Sequence, residues 1–424
     1  MRQLAGASHH GRRTIQPVFN ARVTTDADER RARWVLDTLG GRDLGFGDDV
    51  PYDERAWEQV ARGERPEGDD LALAFWHLAR LEEQDAERDR HGRFPASSSG
   101  LDLLDPPLER LRARLGLEPP RWHGARFAVA LTHDVDVPWR WTRIGIRGSV
   151  SRLRTSVRGG SAGAALAEAR ALSAVPLHKL RGTDPNWRFE RILRVEAARG
   201  ARSTFFLLAG HRHAADGPAP ETYDRLRPRL VDTVITGGGE IALHGSYTAA
   251  EDEGVLAAEK EQLEALAGPI AGQRYHYLRG DPHGNLAPLE RLGFRYDSSI
   301  GFAEAPGFRA GIAQPFRPWS VEEDRPLDLV EIPLALMDVT FSENRYLGVP
   351  AREAERRLLG LVRWAAARGG GFAVLWHADR FDPGTSRGWD RLYFRLLEAV
   401  RQEGGVCLSA GELAEEAAAW LGTP

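Results

Sequence analysis

A chain of 424 residues, 42% hydrophobic and 28% charged, has room for roughly two or three domains and a full core, and its net charge of -4 gives no reason to expect nucleic acid as a partner. Cys407 is the only cysteine, which excludes an intramolecular disulfide and any cysteine-based zinc site, so a bound metal must use His, Asp or Glu. No stretch approaches the roughly 18 uninterrupted apolar residues of a membrane-spanning helix, and the opening MRQLAGASHHGRRTIQPVFNARV lacks a signal-peptide core, so the expectation is a cytoplasmic protein.

Residues 1–125 show helical patterns around Glu54–Arg62 and Leu71–Leu81, then the breaker-rich run DRHGRFPASSSG and a Pro106-Pro107 turn. They carry no catalytic constellation and read as a smaller N-terminal α+β accessory domain. From residue 126 to 424 the chain alternates short apolar runs with helical stretches, the pattern of βα units around a parallel sheet. Strands are predicted at 127–136, 201–210, 240–246, 274–280, 329–338 and 371–381. Between them, a helix is predicted to open at Asp184 as N-cap, with Pro185 in its first turn, and to stop at Gly200; others cover Ala249–Leu266 and Ala351–Arg368. The class is therefore α/β, a distorted (β/α) barrel of about seven strands.

An arginine-rich insertion at 138–180 interrupts the barrel directly after its first strand. Arginines at 140, 143, 147, 152, 154 and 158 sit beside Trp139, Trp141 and Ile144. Two readings stay open: a long surface segment with a solvated charged face, or an arm (138–160) in peripheral contact with a membrane or an anionic carrier.

Strand alternation locates the chemistry. In LTHDVD, Thr132, Asp134 and Asp136 share one face and Leu131, His133 and Val135 the other. In a barrel the first set points inward at the C-terminal mouth, and two carboxylates at that spacing repel unless a cation or shared proton intervenes. The next strand ends bring His244 (with Ala242 and Ser246), then His276 and Arg279 with His283 beyond, and finally His377 with Asp379. A histidine matched by Asp136 from another strand is a metal-ligand candidate, and His377 a candidate proton donor.

These strings together resemble the polysaccharide deacetylase superfamily (NodB-homology, carbohydrate esterase family 4), in the branch whose first motif is THDVD where TFDDG is usual. Matching strings are STFFLL (203–208), EIALHGSY (240–247), YHYLR (275–279), GFRYDSSIGFAEAPGFRAG (293–311), EIPLALMD (331–338) and LWHADRF (375–381). FWHLARLEEQD and HGRF look like markers of the uncharacterised N-terminal domain of this branch. The resemblance implies Asp134 as catalytic base, Arg279 as the arginine orienting it, His377 as general acid and Asp338 as the carboxylate orienting that acid. It implies Asp136 and His244 as metal ligands, with Thr248 standing where a second histidine is usual. His276 is then the expected third ligand, although simple alternation sets it opposite Arg279; His283 is the other candidate.

The implied cofactor is a divalent metal ion, zinc being the expected one. The implied reaction is hydrolysis of the N-acetyl group of a sugar, in a surface glycan or its cytoplasmic precursor. Two alternatives remain: an amide hydrolase acting on a small non-sugar substrate, and an inactive glycan-binding relative. Oligomeric state is not legible in the chain.

Overall fold

The computed structural model describes residues 26–46, 49–211, 213–382, 386 and 388–422. The expectation about the opening segment concerns residues outside these. Among the described residues no helix is long and apolar enough to cross a membrane.

The described residues form eleven strands: β1 Phe127–Val135, β2 Thr204–Leu208, β3 Glu240–Gly245, β4 Gly272–Tyr275, β5 Tyr296–Asp297, β6 Trp319–Ser320, β7 Arg325–Pro326, β8 Val330–Glu331, β9 Leu334–Met337, β10 Gly370–Leu375 and β11 Val406–Leu408. β6 and β7 form a separate antiparallel hairpin. The others make one sheet in the order β8-β5-β4-β3-β2-β1-β10-β9, with β11 paired to β1, and every pairing within it is parallel. β8 and β9 sit on opposite edges of that order yet follow one another in the chain, separated by Ile332 and Pro333. The predicted strand 329–338 is thus one extended segment broken at a proline, which cannot donate to a ladder. It pairs with β5 at its start and β10 at its end, closing the sheet on itself as the expected distorted (β/α) barrel.

All nine residues of β1 are buried, because a central parallel strand is covered on both faces. Its outward side chains, Phe127, Val129, Leu131 and Val135, join the core between sheet and helices. Ala128 and Ala130 point into the barrel, leaving room for Phe206 and Tyr296. His133, on the outer face as alternation predicts, hydrogen-bonds Trp376 O at 2.8 Å and Glu196 Oε1 at 3.0 Å.

Most predicted helices form. Ala351–Arg368 has the expected bounds; Glu253–Ala267 starts later than predicted because the Asp252 carboxylate caps it, accepting from the amides of Gly254 and Val255. Asp184 is not a helix cap. The helix begins at Phe189, and Asp184 instead accepts from the backbone of Arg140, Trp141 and Asn186, so the amides at the base of the insertion take up the carboxylate.

In the N-terminal third lie α1 (Asp26–Leu39), α2 (Glu54–Ala61), α3 (Asp70–Leu78) and α4 (Pro107–Arg114), together with short 3₁₀ turns. Its β component is confined, among the described residues, to isolated bridges at Phe46–Val50 and Trp122–Ala125. These helices share one hydrophobic core with the barrel: Trp34, Phe75 and Trp319 pack edge-to-face or tilted, with centroids 5.0–5.6 Å apart. Glu83 joins Arg80 at 2.8 Å to Arg309 at 2.6 Å, all fully buried. The insertion after β1 is helical: α5 (Arg143–Arg158), α6 (Ala162–Ser173) and α7 (Val175–Arg181).

Candidate active site

The C-terminal ends of β1, β3, β4, β9 and β10 converge on a cleft of about 370 Å³. Asp134 and Asp136, both on the inward face of β1, sit at its floor. His244 at the end of β3 turns its Nε2 toward both, 3.5 Å from Asp134 Oδ2 and 3.4 Å from Asp136 Oδ1, while its Nδ1 bonds Arg274 O at 2.9 Å. His276 presents Nε2 3.7 Å from Asp136 Oδ2 and holds Asp216 Oδ1 with Nδ1 at 3.1 Å.

Asp136, His244 and His276 thus offer one carboxylate oxygen and two imidazole nitrogens within 4.8 Å of one another. Ligand bonds of about 2.0–2.2 Å at tetrahedral angles need donor atoms roughly 3.3–3.6 Å apart, close to the separations found. Asp136 Oδ1 is buried and has no hydrogen-bond partner, as an atom reserved for a cation should be. Each imidazole is fixed through its other nitrogen, the usual outer support of a metal-binding histidine. The donor set fits a divalent ion. His276 therefore joins the set without a histidine at 248, and His283 does not: its Nε2 lies against Arg80 O at 2.9 Å.

β4 ends at Tyr275, and His276–Leu278 form a 3₁₀ turn in which Tyr277 and Leu278 take φ of 62° and 54°. Up to His276 the alternation is intact, so Arg274 and His276 share the inward face with no bulge. The left-handed pair then turns the chain away, and Arg279 leaves the site. It stacks over the Tyr247 ring at 4.0 Å and donates to His91 O, Tyr247 O and Glu251. The assignment of Arg279 to the base is corrected: the arginine at Asp134 is Arg274. Its Nη1 meets Asp134 Oδ1 at 2.8 Å and Thr132 Oγ1 at 2.9 Å, and its other nitrogens hold Ser298. Parity with His276 was the available signal for Arg274. Asp216, the support of His276, comes from a loop with no periodic signal; Tyr247 N also donates to it at 2.7 Å.

On the other wall, His377 follows β10. Its Nδ1 bonds Asp338 Oδ1 at 2.7 Å, its backbone amide donates to Asp338 Oδ2 at 3.1 Å, and its Nε2 faces Asp136 Oδ2 at 3.8 Å. Burial penalises the imidazolium, but Asp338, then Asp136 and Asp134, outweigh it and push His377 up to about 10. Burial likewise would raise the Asp136 carboxyl, yet the facing imidazoles of His276, His244 and His377 hold it well below the usual range. Asp379 lies in the turn after His377 and lines the cleft with Arg380, Glu343 and Arg345. Arg93, from the HGRF string of the N-terminal third, completes that wall, donating to Tyr277 O at 3.1 Å.

The resulting class is a parallel barrel with carboxylates and histidines gathered at its C-terminal mouth, where barrel enzymes carry their chemistry. No protein-family model matches the chain, and no curated protein matches it in sequence. Among solved structures, a Mycobacterium smegmatis protein assigned as a polysaccharide deacetylase is 21% identical, covering 72% of this chain and 95% of its own, with a TM-score of 0.45. An allantoinase is 16% identical over 76% of this chain and 98% of its own, with a TM-score of 0.46. A Pseudomonas aeruginosa PAO1 protein, also assigned as a polysaccharide deacetylase, is 14% identical over 76% and 98%, with a TM-score of 0.44. These overlaps are partial, and the fold stands on the strand order and register given above.

Proposed function

We propose that the protein is a metal-dependent hydrolase of non-peptide amides that removes the N-acetyl group of a sugar, in a surface glycan or its cytoplasmic precursor. One observation carries the reading: a three-donor set of Asp136, His244 and His276 lies between an arginine-held carboxylate, Asp134, and a carboxylate-held histidine, His377. A divalent ion, zinc on this oxygen and nitrogen donor set, supplies carbonyl polarisation and activation of water when bound.

The chain's own residues handle the protons. Arg274 fixes Asp134 through Oδ1 and leaves Oδ2 directed at the donor set, placed to take a proton from the attacking water. On the opposite side Asp338 accepts from His377 Nδ1, which fixes the tautomer, favours the protonated ring and directs Nε2 into the cleft. His377 delivers that proton to the departing amine nitrogen, giving acetate and a free amino sugar. A base and an acid facing each other across the donor set are what amide hydrolysis requires; glycan binding alone needs neither. The test is Asp134→Asn, assayed for acetate release from acetylated sugars and sugar nucleotides alongside small ureides. Loss of acetate release with bound metal retained supports the reading; turnover of ureides alone overturns the sugar assignment.

A further inference from the structure

The α5–α7 insertion behaves unlike every other long helical element. Its base is bolted to the barrel: the buried Arg140 donates to Asp382 at 2.7 Å and Glu168 at 2.8 Å, and Asp184 holds the amides of Arg140 and Trp141. Beyond that base the helices bury little. α5 fully buries only Ser149, α6 only Glu168 and α7 nothing, whereas Ala351–Arg368 buries Leu358, Leu361 and Val362 against the barrel. The described residues include eight exposed large hydrophobic side chains, and five of them stand here: Ile144, Val157, Leu166, Leu177 and Leu180, the last 85% exposed.

Charge is equally one-sided. Residues 143–181 hold eight Arg and Lys against a single acid, Glu168, which Arg140 and Arg152 already occupy. Arg143, Arg147, Arg154 and Arg158 recur at i, i+4, i+11 and i+15, within roughly 60° of arc on a helix turning about 100° per residue. None of the four has a carboxylate partner among the described residues, whereas Arg291, Arg325, Arg357 and Arg395 elsewhere on the surface do. Ile146, Val150, Leu153 and Val157 form the adjoining apolar stripe, and Leu177 and Leu180 pair at i, i+3 beside Lys179 and Arg181.

We propose that this helical insertion is a docking surface for an anionic lipid bilayer. Unpaired arginines seek phosphate or carboxylate headgroups, and exposed Leu, Ile and Val beside them gain free energy by entering the hydrocarbon just beneath those headgroups. A soluble polyanion would engage the arginines and leave the leucines in water. The chemistry in the cleft plays no part in this reasoning, so the two proposals stand or fall separately.

The experiment is vesicle co-sedimentation of the full chain with phosphatidylcholine alone and with phosphatidylcholine mixed with phosphatidylglycerol. Binding is expected to the mixed vesicles only. Each arginine near an anionic surface contributes roughly fivefold in affinity, so replacing Arg143, Arg147, Arg154 and Arg158 by Gln should weaken it more than a hundredfold. Replacing the same four by Lys should preserve binding, which separates lost charge from lost folding. Leu177→Ser with Leu180→Ser should weaken binding by about tenfold or more, with the melting temperature unchanged. Equal binding to both vesicle types, or to neither, overturns the proposal. So does vesicle affinity untouched by the two serines together with equal retention on heparin, which marks a site for a soluble polyanion instead.

Discussion

Arg274→Met removes a guanidinium that donates to Asp134, Thr132 and Ser298, while keeping an apolar stem of similar reach. Asp134 and Arg274 are 3% and 0% exposed and 2.8 Å apart, so the substitution strands a carboxylate in the barrel interior. Removing one partner of such a buried pair costs about 3–5 kcal/mol. An unfolding entropy near 2.1 cal/mol/K per residue gives this 424-residue chain, unfolding as one unit, a loss of about 3–6 °C in melting temperature. Turnover should fall by about 10²–10⁴, the usual worth of a placed general base. Arg279→Met is the control. It removes contacts to two backbone carbonyls and to the exposed Glu251, none of them in the site, and turnover should hold. Calorimetry and acetate release on the two variants decide between the arginines. Full activity with Arg274→Met beside an inactive Arg279→Met would restore the sequence-based assignment and sink the geometry argued here; an unshifted melting temperature for Arg274→Met would refute the buried-pair reasoning.

Asp216→Asn should weaken divalent-metal affinity about 10–100-fold, because the carboxylate that fixes His276 Nδ1 is lost while all three donors remain; titration calorimetry with zinc reads this directly. Asp338→Asn should lower kcat while leaving metal content intact, and should shift the alkaline limb of the pH–rate profile downward, since Asp338 is the chief group raising His377. An unmoved limb would count against His377 as the proton donor. Burial would raise the Glu83 carboxyl, but Arg309 and Arg80 hold it at about 2 against an ordinary 4.5. A depressed carboxyl stabilises the fold above its unfolded value and loses that contribution as pH falls through the folded one. About 3 kcal/mol should therefore disappear between roughly pH 5 and pH 2. Urea midpoints of wild type and Glu83→Gln should differ near neutrality and converge on acidification.

What the sequence made legible follows from how local each cause is. β1 was readable to the side chain, since a strand buried on both faces must be apolar and its inward polar residues, Thr132, Asp134 and Asp136, then stand out. Ala351–Arg368 was readable because its apolar period and breakers lie within the segment itself. The misreadings sit where distant groups decide. Asp184 has the composition of a helix cap, but two amides more than forty residues earlier in the chain claim it. Arg279 occupies the expected motif position, but the left-handed pair at Tyr277 and Leu278 rotates it outward, while Arg274, two residues before His276, faces in by the register of β4. Asp216 reaches His276 across sixty residues from a loop and left no periodic trace.

The helices before the barrel also change how the chain can be taken apart. Trp34 and Phe75 complete the packing of Trp319, Glu83 neutralises the buried Arg309, and Arg93 supplies part of the cleft wall. Cutting at residue 125 would leave a greasy scar, an orphaned cation and a breached doorway. Among the described residues lining the cleft, Arg93 alone comes from the opening third, so these helices reach the mouth of the site at a single point. A relative that kept the strands but exchanged its opening third would have to repack Trp319, re-pair Arg309 and replace one cationic wall residue, while Asp134 and His377 kept their partners within the barrel.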